Sequence, residues 1–294
     1  MSEVVAGEAE RRLGLPPGAF PFPSRHCEVG GARLHYIDEG AGPILLMIHG
    51  NPSWIYLWRG LVERLRGEFR CVAVDLAGFG LSAPPKDFSY LPSDHAKLVA
   101  AFAERLDLRD ATLVAHDWGG PIGIAAARAT AGRISRFCLG NTWAWPVNGD
   151  FHFEWFSKLL GGPIGRWAAM RHAVFVNFVL PSSMRRRKLT PDELQAFRAP
   201  FDNFQSRKGM HVFPWAITGA GDWLAELETF VAGFAGPAHF IWPDGDIAFR
   251  EQELAHWLRL LPRAKVTRIA RCGHFLWLEA PDEAAAAVTA FART

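Results

Sequence analysis

Apolar positions alternate along the chain between two rhythms. Pro43 to Ile48 and Arg70 to Val74 are short continuous runs, and Ala111 to Ala115, Arg136 to Gly140, Ala238 to Trp242 and Lys265 to Ile269 are further strand-like segments. Their length and β-branched content predict strands, the first of them buried on both faces. Between them lie helical spacings: Asp94 to Leu106 with Asp94 as N-cap, Pro121 to Ala129, and Pro281 to Phe291 with Pro281 in its first turn. The first 40 residues read as an arm, a loop from Pro16 to Pro23, and a hairpin that includes the extended segment Arg33 to Ile37.

Strands alternating with helices imply an α/β chain, a mostly parallel sheet covered by helices on both faces. From about residue 147 to 216 the rhythm changes. This stretch is rich in Phe and Trp, reads as short helices and offers no convincing strand. The expected organisation is a core of residues 1–146 and 217–294 with a helical cap, 147–216, inserted in it. No internal repeat or low-complexity segment appears.

Composition narrows the classes. With 294 residues, 49% hydrophobic and 21% charged, the chain can bury a large core. A net charge of +2 gives no reason to expect a polyanionic partner, so no nucleic acid is expected. Arg185-Arg186-Arg187-Lys188 is the one basic cluster, and it reads as a solvated loop or helix end. Cys27, Cys71, Cys138 and Cys272 have no metal-ligand spacing and read as packing residues. The first 13 residues lack the apolar segment of a signal peptide, and no stretch reaches membrane-spanning length. A cytoplasmic protein with no membrane partner is therefore expected.

The chemistry centres on Ala115-His116-Asp117-Trp118-Gly119. A strand, a sharp turn and a helix carry the small-x-nucleophile-x-small layout of a nucleophile elbow, with Asp at its centre. An aspartate is ionised at neutral pH and needs no base to attack. Against an ester it would form a reactive anhydride. Against saturated carbon with a leaving group it forms an alkyl ester that water can later hydrolyse. Asp117 at the elbow thus points to carbon–halogen bonds or epoxides. The bland alternative is a buried Asp that caps a helix.

In such elbows the acid and then the base follow the nucleophile in chain order. His274 follows the last strand in Ala270-Arg271-Cys272-Gly273-His274-Phe275, where ligands meet open α/β sheets, and is the expected base. Trp242-Pro243-Asp244-Gly245-Asp246 offers two carboxylates. Asp244-Gly245 has turn chemistry, so Asp246 is the expected acid. An earlier site for the acid falls at Gly140-Asn141-Thr142, and Asn141 has no charge to stabilise an imidazolium. The oxyanion hole would use the backbone N–H groups of Asn51, after the Ile44–Ile48 strand, and of Trp118. Their side chains add an amide NH2 and an indole N–H, two neutral donors suited to a departing anion. Taken singly, Trp118 also reads as core and Asn51 as a turn residue.

His49-Gly50-Asn51-Pro52-Ser53-Trp54, Asp75-Leu76-Ala77-Gly78-Phe79-Gly80-Leu81-Ser82, His116-Asp117-Trp118-Gly119-Gly120 and Gly273-His274-Phe275 resemble haloalkane dehalogenases of the α/β-hydrolase superfamily. The likeness spans roughly residues 25 to 294. Gly140 to Pro146 is similar to the subgroup with an Asp–His–Asp triad and an Asn/Trp halide clamp. The chain departs at Pro243-Asp244-Gly245, where that family has a Gly and then a Lys before the acid.

The resemblance implies an α/β-hydrolase fold and hydrolytic dehalogenation through an ester on Asp117. It also implies halide binding by Asn51 and Trp118, and no cofactor or metal. Partners would be a small apolar halogenated substrate, halide and water. A Phe- and Trp-rich cap face left exposed would serve self-association, although a buried cap face explains the same residues. Two rival readings stand beside this one. An epoxide hydrolase shares the elbow Asp but needs a proton donor. Tyr36, Tyr56 and Tyr90 all lie outside the cap, which leaves only His152, His172 or His211 there. A non-catalytic ligand-binding protein on this fold would be expected to lack a triad member.

Overall fold

A computed structural model describes residues 4–293. Its strands are β1 (Val4–Val5), β2 (Ser24–Val29), β3 (Ala32–Glu39), β4 (Ile44–Ile48), β5 (Arg70–Val74), β6 (Ala111–His116), β7 (Ile134–Gly140), β8 (Ala238–Pro243) and β9 (Lys265–Ile269). Its helices are α1 (Glu8–Leu13), α2 (Arg59–Leu65), α3 (Pro92–Arg105), α4 (Gly119–Ala129), α5 (Phe151–Gly161), α6 (Pro163–His172), α7 (Leu180–Ser182), α8 (Pro191–Arg198), α9 (Lys208–Gly219), α10 (Gly221–Ala232), α11 (Glu251–Leu260), α12 (Leu276–Glu279) and α13 (Pro281–Ala292).

The nine strands form one sheet in the order β1-β2-β3-β5-β4-β6-β7-β8-β9. β1, β2 and β3 join antiparallel; from β5 onward every pairing is parallel. The continuous apolar strands sit where both faces are covered, and β6 is buried at every residue. The chain runs from β4 outward to β5 and returns to β6 on the other side. The β4–β6 boundary is therefore a topological switch point, where a crevice opens at the carboxyl ends of the strands.

Between β7 and β8 the chain is helical, with no strand among the described residues. α9 runs through positions 216 and 217 and packs on α5, where the Ser157 hydroxyl donates to Pro214 O at 2.8 Å. α10 instead lies against α4, and Arg128 pairs with Glu226. One local expectation is corrected. Asp94 is not the N-cap of α3; Leu91 is, and Pro92 opens the helix because its φ is already helical. Asp94 lies in the first turn and accepts from Lys97 at 2.7 Å. Among the described residues no helix is long and apolar enough to cross a membrane.

Candidate active site

β6 delivers Asp117 into the turn before α4 with φ +51°, a left-handed conformation that costs a non-glycine residue energy. Its neighbours over-determine it. Asp117 N–H donates to Asn141 O at 2.9 Å, and the Thr142 hydroxyl donates to Asp117 O at 2.6 Å. Two glycines let the backbones close around it. A Cβ on Gly119 would lie 2.1 Å from Ile48 O, and one on Gly50 would lie 2.2 Å from Asp117 Oδ1.

That Oδ1 accepts the Asn51 N–H at 2.7 Å, and the Trp118 N–H is a second backbone donor to the carboxylate. Burial nevertheless pushes the Asp117 pKa up to about 6. The His274 ring and the two N–H groups pull it down, and the Asp246 charge raises it further. The loop that carries Asn51 is pinned from beneath. His49 Nδ1–H donates to Gly50 O at 2.9 Å, and its Nε2 accepts the Leu76 N–H at 3.0 Å, which sets a neutral tautomer. Asp75 accepts the Ile55 and Leu81 N–H groups and pairs with His35.

His274 and Asp246 meet past the ends of β9 and β8. His274 Nδ1–H donates to Asp246 Oδ2 at 2.9 Å. Burial opposes charge on the imidazole, but the Asp246 carboxylate outweighs it, and the His274 pKa is raised. Burial likewise opposes ionisation of Asp246. The His274 ring, the Asn141 amide at 2.6 Å and the Ala248 N–H at 2.7 Å overcome it, and its pKa is lowered. Asp244 lies exposed, one turn away. Phe249 stacks on the His274 ring at 5.7 Å, and His116 Nε2–H donates to His274 O at 3.0 Å.

Trp118 is buried; its ring stacks on Phe213 of α9 at 5.4 Å and meets the edge of Trp143 at 4.6 Å. Asn51 is half-buried at the start of the same crevice, bonded through a cis peptide to Pro52. The structure thus brings Asn51, Asp117, Trp118, Asp246 and His274 to one end of the sheet. All four cysteines are free and buried; burial pushes Cys272 up to about 12. Tyr56 stacks on Trp54, and Tyr90 packs against Phe88. Among the described residues no cluster of three His, Cys, Asp or Glu side chains could hold a metal ion.

Two parts of the site have no counterpart in the sequence reading. Asn141, passed over as an acid, donates its amide N–H to Asp246. Glu279 is a buried carboxylate that accepts the N–H groups of Gly273, Arg185 and Arg186, so it ties the His274 loop to the chain after α7. The basic cluster is correspondingly engaged rather than merely solvated. Arg187 pairs with Glu193 at 2.6 Å, and Arg186 pairs with Glu283 and donates to Ala270 O. Only the acidic residue within the apolar Phe275 to Ala280 run hinted at this clamp.

Residues 43–281 match a family described as the alpha/beta hydrolase fold. The chain is 36% identical over 275 residues to "Haloalkane dehalogenase 2" of Mycobacterium tuberculosis (strain ATCC 25618 / H37Rv), covering 92% of this chain and 96% of the relative. It is 30% identical over 283 residues to "Cis-3-alkyl-4-alkyloxetan-2-one decarboxylase" of Shewanella oneidensis, covering 90% and 86%. The crystal structure of the haloalkane dehalogenase DatA from Agrobacterium tumefaciens C58 superposes with a TM-score of 0.86 at 23% identity, over 95% of this chain and 99% of that one. At that identity the likeness speaks for the fold.

Proposed function

Because the chain belongs to the α/β hydrolase fold family and, within it, to the haloalkane dehalogenases, we propose that it hydrolyses haloalkanes through an ester on Asp117. The observation that carries this reading is the state of the Asp117 carboxylate. Oδ1 is engaged by a backbone N–H at 2.7 Å, which leaves Oδ2 to attack carbon in line with the halide. The carbon–halogen bond breaks as the Oδ2–carbon bond forms. The halide departs toward the Asn51 amide and the Trp118 indole, neutral donors that release an anion without having to protonate it. Oδ1 becomes the ester carbonyl oxygen.

His274 then takes a proton from water, which adds to the ester carbonyl carbon. The charge that grows on Oδ1 meets the Asn51 N–H already in place, so little reorganisation is needed. Collapse expels the alcohol and restores the carboxylate. Asp246 holds the imidazole by its Nδ1–H and offsets its positive charge, in the role of a triad acid. Residues 147–216 act as a cap over this site, and their Phe213 packs on the halide-binding indole. The substrates are small apolar halogenated alkanes, with water as the second reactant and no cofactor.

Incubation with brominated alkanes should release halide and acid together. In His274→Phe the first step survives and the second does not, so the intact protein should gain the mass of one alkyl group on Asp117. Wild-type turnover with no adduct in the variant refutes the two-step scheme.

A second reading follows from the oxetanone decarboxylase relative. Attack of Asp117 at the saturated ring carbon would open a β-lactone, with a carboxylate as the leaving anion. Loss of CO2 would then place the C–CO2 electron pair in a new alkene and expel the Asp117 carboxylate. This route needs no hydrolytic water, so His274→Phe would still turn over. Alkene and CO2 from an oxetanone, with no halide from any bromoalkane, would establish it over dehalogenation. Epoxide opening is less well supported, because it needs a proton donor beside the alkoxide.

A further inference from the structure

The main chain around His274 is held at four points. Cys272 O accepts the Gly245 N–H at 2.9 Å, and Gly273 N–H donates to Glu279 Oε1 at 2.8 Å. His274 N–H donates to Ser183 O at 3.1 Å, and His274 O accepts from His116 at 3.0 Å. A Cβ on Gly273 would lie 2.1 Å from Ser183 O and 2.9 Å from Glu279 Oε1, so only glycine lets these groups come so close.

Glu279 is the one carboxylate in this set. It is 5% exposed and, among the described residues, forms no ion pair with Arg, Lys or His. Its partners are main-chain N–H groups: Gly273 on Oε1, with Arg185 at 2.7 Å and Arg186 on Oε2. The guanidinium groups of Arg186 and Arg187 turn instead to Glu283 and Glu193. A carboxylate buried without a cation is costly, and the three N–H donors offset that cost by converging on it. One oxygen thus grips the residue before the base, and the other grips the chain after α7. We propose that Glu279 is a positioning residue for the ester-hydrolysis step, fixing the His274 backbone so that the imidazole meets both the water and the ester on Asp117. This role rests on the dehalogenation reading.

The role is confined to one step. Asp117 attacks from a turn held by Asn51, Asn141 and Thr142, and none of these bonds involves Glu279. His274 is needed only when water attacks the ester. Gln cannot replace Glu279, because all of its partners are donors. The single amide oxygen serves the two N–H groups of Arg185 and Arg186, and the NH2 then faces the Gly273 N–H, donor against donor. The loop loses its hold one residue before the base.

The test is Glu279→Gln, followed by rapid-quench bromide release and steady-state kinetics on a bromoalkane. The amplitude of the bromide burst counts folded sites, so each rate is read per folded site. Alkylation sets kcat/KM, which should stay at the wild-type value. Ester hydrolysis should slow about thirtyfold, within the roughly hundredfold that misplacement by about 1 Å costs. Once hydrolysis limits turnover, kcat and KM fall together, and the intact protein carries the alkyl ester on Asp117 during turnover. Glu279→Asp keeps an acceptor-only group and should slow hydrolysis less than Gln does; it carries the same kcat-against-KM comparison where the Gln variant does not fold. Hydrolysis at the wild-type rate in the folded variants, kcat/KM falling in step with kcat, or slower hydrolysis with Asp than with Gln overturns the proposal and leaves dehalogenation standing. A wild-type protein that releases no bromide overturns the dehalogenation reading and this role with it.

Discussion

Asp117→Asn should make the protein more stable while abolishing turnover. The substitution keeps the side-chain volume, and Asn tolerates a left-handed φ as well as Asp does. Its carbonyl oxygen can still accept the Asn51 N–H. What it removes is a buried negative charge. Burial lifts the Asp117 pKa from its ordinary 3.8 to about 6. The folded protein therefore holds this proton more tightly than the unfolded chain does. Stability is highest below the unfolded value, falls as pH rises from 3.8 toward 6, and is level above that.

At 1.36 kcal/mol per pH unit, ionised Asp117 costs the folded state about 3 kcal/mol at pH 8. Asn should recover about that amount. At pH 5 the folded carboxyl is largely protonated, and the gain should shrink to roughly half of that. Urea unfolding of both proteins at pH 8 and pH 5 measures the four free energies. The contrast between the two pH values matters most, because any constant cost of packing the amide cancels from it. A gain that is the same at pH 5 and pH 8, or a loss at pH 8, would refute the claim that a destabilising charge is held here for chemistry.

Three further outcomes are expected. Alkylation needs ionised Asp117 and should gain rate as pH rises through about 6, whereas ester hydrolysis needs neutral His274, whose pKa is raised above its ordinary 6.5. Rapid-quench and steady-state profiles should therefore have separate midpoints, the second more alkaline, and coincidence would reject the assignment. Trp118→Phe keeps the stack on Phe213 but loses the indole N–H, so the first-turnover bromide burst should slow on the order of a hundredfold with ester hydrolysis unchanged. Asn141→Leu removes a hydrogen bond to the buried Asp246 carboxylate; urea unfolding should register a loss of about 2 kcal/mol, and hydrolysis should slow more than alkylation.

The parts of this site legible in the sequence are those whose residue type is itself the signal. Asp at the centre of the elbow, His274 after the last strand and Asp246 beyond a turn all occupy positions set by local pattern. The centre of the sheet was legible for a similar reason: strands buried on both faces, such as β4 and β6, leave unbroken apolar runs. What stayed hidden depends on pairings across long stretches of chain. Glu279 makes bonds to residues more than ninety positions away as well as to Gly273, and an isolated Glu carries no mark of them. Phe213 and Phe249 were anonymous among the 22 phenylalanines until α9 and the loop after β8 placed them on Trp118 and His274. Asp94 shows the converse, a good capping residue displaced by Pro92 two positions before it.

Asn141 shows what the two strand ends do together. β7 and β8 are neighbours, paired through Leu139 and Phe240, so the positions just beyond them face a common point. Asp246 Oδ2 occupies it and accepts from both His274 Nδ1–H and the Asn141 amide. A carboxylate at both positions would place two anions within hydrogen-bonding distance away from water. One of them would then have to take up a proton. An amide at one strand end and an acid at the other avoids that conflict and leaves a donor on the oxygen that serves the histidine. The uncharged residue at 141 is thus informative as half of a pair. It argues for the acid at 246 by supplying the hydrogen bond that a buried carboxylate there requires.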